Sequence, residues 1–170
     1  MSGTGFTFHK MQALGNDFVV LDRRAAGEPG PSPAQVRRLA DRRLGIGCDQ
    51  LIVIGPSARA VALLRFFNPD GGEAGACGNG TRCAARLLME GSGVRELRLE
   101  TAAGLLAVAA DGRGGYTVDM GAPRLDWRDV PLAEPADTLR LPLARGPLRE
   151  PVALSMGNPH AVFFVDGDVE

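Results

Sequence analysis

The chain has 170 residues, long enough for one domain with a real core or for one domain and part of another. Its 45% hydrophobic and 23% charged residues fit a soluble globular protein, and a net charge of −1 leaves no global field to attract nucleic acid or an anionic membrane. No apolar run is long enough to span a bilayer, residues 1–5 lack the regions of a signal peptide, and the few aromatics are not interleaved with Arg as a nucleic-acid platform requires. The chain is therefore expected in the cytoplasm, where Cys48, Cys77 and Cys83 stay reduced; their spacing matches no zinc pattern.

Taken in chain order, Phe6–Met11 and Asp17–Asp22 suit strands broken at Gly15-Asn16. Residues 24–33 read as a surface loop. Ser32-Pro33 then starts a helix through Val36, Leu39, Ala40 and Leu44, ended by Gly45. Leu51–Ile54 and Val61–Phe67 read as strands, followed by the glycine-rich turn Asn68–Gly72. A helix is expected from Gly78 to about Glu90, with Cys83, Ala84, Leu87 and Leu88 on its buried side. Glu96–Thr101 alternates as a half-buried strand does, and 104–110 and 115–120 extend the pattern around a turn at 111–115. Residues 121–150 have weak periodicity and read as a crossover. Two further strands, Val152–Met156 and Ala161–Val165, flank Gly157-Asn158-Pro159-His160. The pattern predicts an α+β fold of mostly antiparallel strands with few helices, divided into 1–120 and 121–170.

Cys77 stands where a glycine-rich turn meets a helix. The first turn of a helix leaves backbone N–H groups unpaired and attracts negative charge, so a thiol there is expected to have a lowered pKa. Gly78 would let a ligand approach the backbone, and the N–H groups of Gly78 and Asn79 could hold a carboxylate. A buried apolar cysteine is the competing reading, against which Gly75, Gly78 and Gly80 argue. Cys48 and Cys83 fit that plainer role. By themselves Asn16 and Asn68 read as turn residues, Gln50 as a solvated residue before a strand, and His160 as a structural histidine.

The run Asn68–Cys83, containing Ala76-Cys77-Gly78-Asn79-Gly80-Thr81-Arg82, closely resembles the first active-site segment of the diaminopimelate epimerases. Three more segments resemble that family in the right order: Lys10–Phe18, Gly45–Leu51 and Ser155–His160. The resemblance implies two similar domains, each a sheet wrapped around a central helix, with the active site in the cleft between them. It implies inversion at an amino-acid α-carbon by two thiols, with neither pyridoxal phosphate nor metal. At matching positions Cys77 would be one thiol and His160 would assist proton transfer. Asn16, Gln50, Asn68 and Asn158 would hydrogen-bond the substrate, and Gly78 and Asn79 would cradle its α-carboxylate. The substrate would be a small amino acid, meso- or LL-diaminopimelate of the lysine and peptidoglycan-precursor route. No cofactor is expected, and a homodimer is compatible with the sequence.

The family's second cysteine lies in a C-terminal segment that has no counterpart here. The 170-residue chain is thus expected to be incomplete and unable to epimerise as it stands. Two alternatives stay open: an epimerase of the same fold acting on another amino acid, and a non-catalytic fragment that retains half a site.

Overall fold

The computed structural model describes residues 7–25 and 30–167, which fall into two compact units, one running to Met120 and the other starting at Gly121. Phe6, residues 26–29 of the expected loop, and residues 168–170 lie outside the described residues.

The first unit opens on a hairpin. β1 (His9–Ala13) and β2 (Asn16–Asp22) pair antiparallel with Ala13 opposite Asn16. Leu14 and Gly15 form the turn, both at positive φ (50° and 88°). Glycine takes that conformation freely; leucine does so at a cost.

A crossover through α1 (Pro33–Ala40) leads to β3 (Gln50–Gly55), which lies parallel to β2. Ser32 caps α1 by accepting from the Gln35 N–H at 3.3 Å, while Gln35 accepts from the Ser32 N–H at 2.8 Å. The helix stops at Ala40 rather than continuing to Leu44. The Asp41 carboxylate takes the N–H groups of Arg43 (2.7 Å) and Leu44 (2.8 Å), which gives the backbone a non-helical partner, and Leu44 stays exposed.

Phe18–Leu21 are all buried because the sheet is covered on both faces. Val19, Leu21, Leu51 and Val53 pack with Val36 and Ala40 of α1. Phe18, Val20, Ile52 and Ile54 face the other way and pack with α2 (Gly78–Met89). Cys48 and Cys83 are buried, one in each of these clusters.

β4 (Ala62–Phe67) runs antiparallel to β3, and a two-residue strand, β5 (Glu73–Ala74), folds back on its end. That short strand was absent from the sequence expectation, since two residues carry no periodicity. After α2 come β6 (Glu96–Thr101), parallel to β4, then β7 (Gly104–Ala110) and β8 (Tyr116–Asp119), each antiparallel to the strand before it. Among the described residues the sheet order is β1-β2-β3-β4-β6-β7-β8, with β5 beside β4. α2 touches β1, β2, β3, β4 and β8, so the sheet curls around this one helix. The expected α+β class is observed, with two parallel pairs in a mostly antiparallel sheet. Leu87 and Leu88 are half-buried against the core, while Gly80, Thr81, Cys83, Ala84, Ala85 and Met89 are fully buried.

The second unit holds two small hairpins, β9 (Ala144–Arg145) with β10 (Leu148–Arg149), and β11 (Val152–Ser155) with β12 (Pro159–Val162). Val130, Leu141 and Ala153 form its core. The last strand starts at Pro159, not at Ala161 as expected. Ser155 pairs with Pro159, leaving Met156-Gly157-Asn158 as the loop with Gly157 at φ 95°. Proline is tolerated there as the first residue of a strand.

Candidate active site

Cys77 is the N-cap of α2, with extended backbone angles (φ −150°, ψ 108°). Its Sγ accepts a hydrogen bond from the Gly80 N–H at 3.3 Å. Its carbonyl accepts the Thr81 N–H (2.9 Å) and the Thr81 hydroxyl (2.8 Å), which locks the first turn. The thiol is half-buried.

The lowered pKa expected from the helix terminus is not what this environment gives. Burial pushes the Cys77 thiol up from its ordinary value, and this outweighs the opposing pull of the Gly80 and Asn79 N–H groups and the Arg82 charge. The glycines also divide into two kinds. A Cβ on Gly80 would stand 2.9 Å from Ile52 Cδ1 and 3.0 Å from Phe66 Cε1, so packing of helix on sheet accounts for Gly80. A Cβ on Gly78 would meet only Met120 Sδ at 3.6 Å and Arg82 Nη1 at 4.0 Å, ordinary contacts. Packing therefore does not require glycine at 78.

Three sequence segments meet at this helix start. Asn79 donates from Nδ2 to Asn16 Oδ1 at 2.9 Å, joining α2 to the β1–β2 hairpin. Asn16 donates from Nδ2 to Asp49 Oδ2 at 3.1 Å, joining the hairpin to the entry of β3. Gln50 donates from Nε2 to Asn68 Oδ1 at 2.9 Å, joining β3 to the turn after β4. The side chains of Asn16 and Asn68 thus serve long-range partners, not their own turns. In the Asn68 turn the local role falls to Asp70, whose Oδ1 accepts from the Gly72 N–H at 2.8 Å. Gln50 is half-buried rather than solvated.

A charged cluster braces this arrangement, and the sequence reading gave its members no role. Asp17 accepts from Lys10 Nζ (2.6 Å), from Arg42 Nη2 (2.7 Å) and Nη1 (3.0 Å), and from the Asp49 N–H (3.0 Å). Lys10 also donates to the Gly47 carbonyl. Arg42 and Lys10 hold the Asp17 carboxyl well below the usual carboxylate range, against the opposing effect of burial. Arg42 Nη2 reaches Asp49 Oδ1 as well, at 2.7 Å. The available signal was the placement of Asp17 and Asp49 directly beside Asn16 and Gln50.

Asn158 and His160 belong to the second unit. His160 stands exposed on β12 with Nε2 3.1 Å from Asn158 Oδ1. Among the described residues no group of three or more His, Cys, Asp or Glu is placed to hold a metal ion, and no helix is long and apolar enough to cross a membrane.

Residues 8–125 match the family model described as diaminopimelate epimerase. The chain belongs to the diaminopimelate epimerase family. It is 56% identical over 160 residues to a diaminopimelate epimerase of Acidiphilium cryptum, covering 94% of this chain and 57% of that protein. It is 52% identical over 162 residues to one of Rhodospirillum centenum, covering 94% of this chain and 55% of that protein. The chain thus spans somewhat over half the length of these curated diaminopimelate epimerases.

Solved structures show the same fold beyond the family. A hydroxyproline epimerase from Agrobacterium vitis matches with a TM-score of 0.58 at 17% identity, over 86% of this chain and 47% of that one. A PhzF-family phenazine biosynthesis protein of Bacillus anthracis matches with a TM-score of 0.56 at 20% identity, over 93% of this chain and 54% of that one.

Proposed function

We propose that the protein is a cofactor-independent diaminopimelate epimerase, and that this chain carries the half of its site that holds Cys77. The observation that carries the reading is that Asn16, from the distant β1–β2 hairpin, is bonded to Asn79 at the helix N-terminus that Cys77 caps. Identity above 50% to curated diaminopimelate epimerases points to the same substrate.

The α-proton of an amino acid is weakly acidic, so inversion needs a base on one face and an acid on the other. Cys77 would be one of them. Cys48 and Cys83 are buried in the two cores, so neither suits the opposite face. The second thiol is assigned, on the family resemblance, to residues beyond these three cysteines. The N–H groups of Gly78 and Asn79 would take the α-carboxylate and stabilise the charge that builds on it. Asn16, Gln50, Asn68 and Asn158 would hold the other polar groups of the substrate, and His160 would help move the proton. Substrate binding would expel water and strengthen these interactions. The setting is the cytoplasm, with a free amino acid as the partner, in keeping with a net charge of −1.

The test is incubation of the purified full-length protein, with the segment that supplies the second thiol present, with LL-diaminopimelate in D₂O. Chiral chromatography follows inversion and mass spectrometry follows α-deuteration. Inversion that Cys77→Ala abolishes is the expected result. A protein that inverts nothing, or a Cys77→Ala variant that keeps its rate, overturns the reading.

A further inference from the structure

Asp49, Asn16, Asn79 and Arg82 form one line of side-chain hydrogen bonds. Asn16 Nδ2 donates to Asp49 Oδ2 (3.1 Å), Asn79 Nδ2 to Asn16 Oδ1 (2.9 Å), and Arg82 Nη1 to Asn79 Oδ1 (2.8 Å). A carboxylate only accepts and a guanidinium only donates. The two ends therefore dictate both amides between them. Asn16 must turn its NH₂ to Asp49 and its oxygen to the helix; Asn79 must turn its NH₂ to Asn16 and its oxygen to Arg82.

Both ends are anchored. Asp49 also accepts from Arg42 Nη2 (2.7 Å) and from the Asp17 N–H (3.1 Å). Arg82 Nε donates to the Tyr116 carbonyl at 3.0 Å. An amide can be turned over with little change of shape, exchanging donor for acceptor. Only the charged ends make one of the two arrangements of this pair better than the other.

We propose that Asp49 and Arg82 are positioning residues that set the polarity of the Asn16–Asn79 amide pair. With that polarity, Asn16 Oδ1 keeps one lone pair, which suits a substrate ammonium group. The reversed pair would offer an NH₂ at the same place and repel it. This assignment rests on the epimerase reading above.

Asn79→Asp tests the polarity by the sign of its effect. Residue 79 lies in the first turn of α2, three residues before Arg82. A carboxylate there is ordinarily stabilising. With the polarity fixed, it faces the Asn16 oxygen, and the variant melts below the wild type by about 2–4 °C. Asp49→Asn frees Asn16 to turn over, so it costs less stability on the Asn79→Asp background than on the wild type. Turnover does not follow stability: each single variant and the pair lose about tenfold or more in kcat/KM. A stabilising Asn79→Asp, or a pair that regains turnover along with stability, overturns the proposal.

Should Asn79→Asp not fold, Asp49→Ala decides by side-chain ¹⁵N NMR. The NH₂ of Asn79, which Asp49 does not touch, then loses hydrogen-exchange protection together with that of Asn16; unchanged protection at Asn79 overturns the proposal. Failure of the epimerase reading is seen separately, as a wild type that inverts nothing, while melting and exchange still report on the amide pair.

Discussion

Gly80 and Phe66 meet so closely that a Cβ on the glycine would stand 3.0 Å from the ring Cε1. Phe66 and Ile52, the two neighbours, are fully buried and held by the sheet on either side. Gly80→Ala is therefore expected to destabilise by about 1–3 kcal/mol through overpacking. Helix propensity alone argues the other way, favouring alanine by about 1 kcal/mol. Urea melts decide, and a stabilised Gly80→Ala would show that the core gives way.

Gly78→Ala is expected to behave in the opposite manner. The added methyl meets only ordinary contacts, so the melt should stay within about 0.5 kcal/mol of the wild type. Turnover should fall about tenfold or more, because the methyl would crowd a carboxylate approaching the backbone. Wild-type turnover would remove Gly78 from the proposed cradle.

The thiols give a pH prediction. Burial raises Cys77 above its ordinary value, so its thiolate fraction stays small near neutral pH and grows as pH rises. Alkylation of Cys77 by iodoacetamide should reach its midpoint at higher pH than a free cysteine does. Cys83, pushed up to about 11 by burial, and Cys48, raised for the same reason, should stay unmodified in the folded protein. The folded state binds these thiol protons more tightly than the unfolded state. Their contribution to stability is full below the unfolded thiol range and is lost as pH rises through the folded values. Mass-spectrometric mapping of the labelled sites against pH checks the order. A midpoint for Cys77 below that of free cysteine would contradict it.

Asp17 carries the acid side. Its carboxyl is held below the usual range by Arg42 and Lys10, so its contribution is present above the unfolded carboxylate value and is lost as pH falls towards the folded one. Asp17→Ala is expected to cost about 1–2 kcal/mol, since Lys10, Arg42 and the Asp49 N–H each lose one of their acceptors. The gap between wild type and variant should narrow between pH 6 and pH 3 in urea melts. A constant gap would argue that packing, not charge, is what the substitution removes.

Much of the fold was legible because its strands and helices carry strong local patterns. Glu96–Thr101 alternates, and the strand has those bounds in the structure. Phe18–Leu21 is uniformly apolar, and the reason is a sheet covered by α1 on one face and α2 on the other. The misplaced ends have local causes that periodicity does not register. Asp41 stops α1 with two side-chain hydrogen bonds, and a three-residue loop starts the last strand at Pro159. β5, only Glu73–Ala74, offers too few residues to show a period.

The sequence by itself determined which residue types stand together in order: a cysteine at a helix start, glycines around it, and asparagines and a glutamine in separate short segments. That order is a property of the chain and survives any folding. Only the tertiary structure decided what each of them is for locally. Gly80 is set by the ring of Phe66, Gly78 by no such neighbour, and the amides of Asn16 and Asn68 by partners from other segments rather than by their own turns. The thiol of Cys77 shows the difference most plainly. A helix N-terminus, visible in sequence, favours the thiolate; burial, which only packing creates, disfavours it by more.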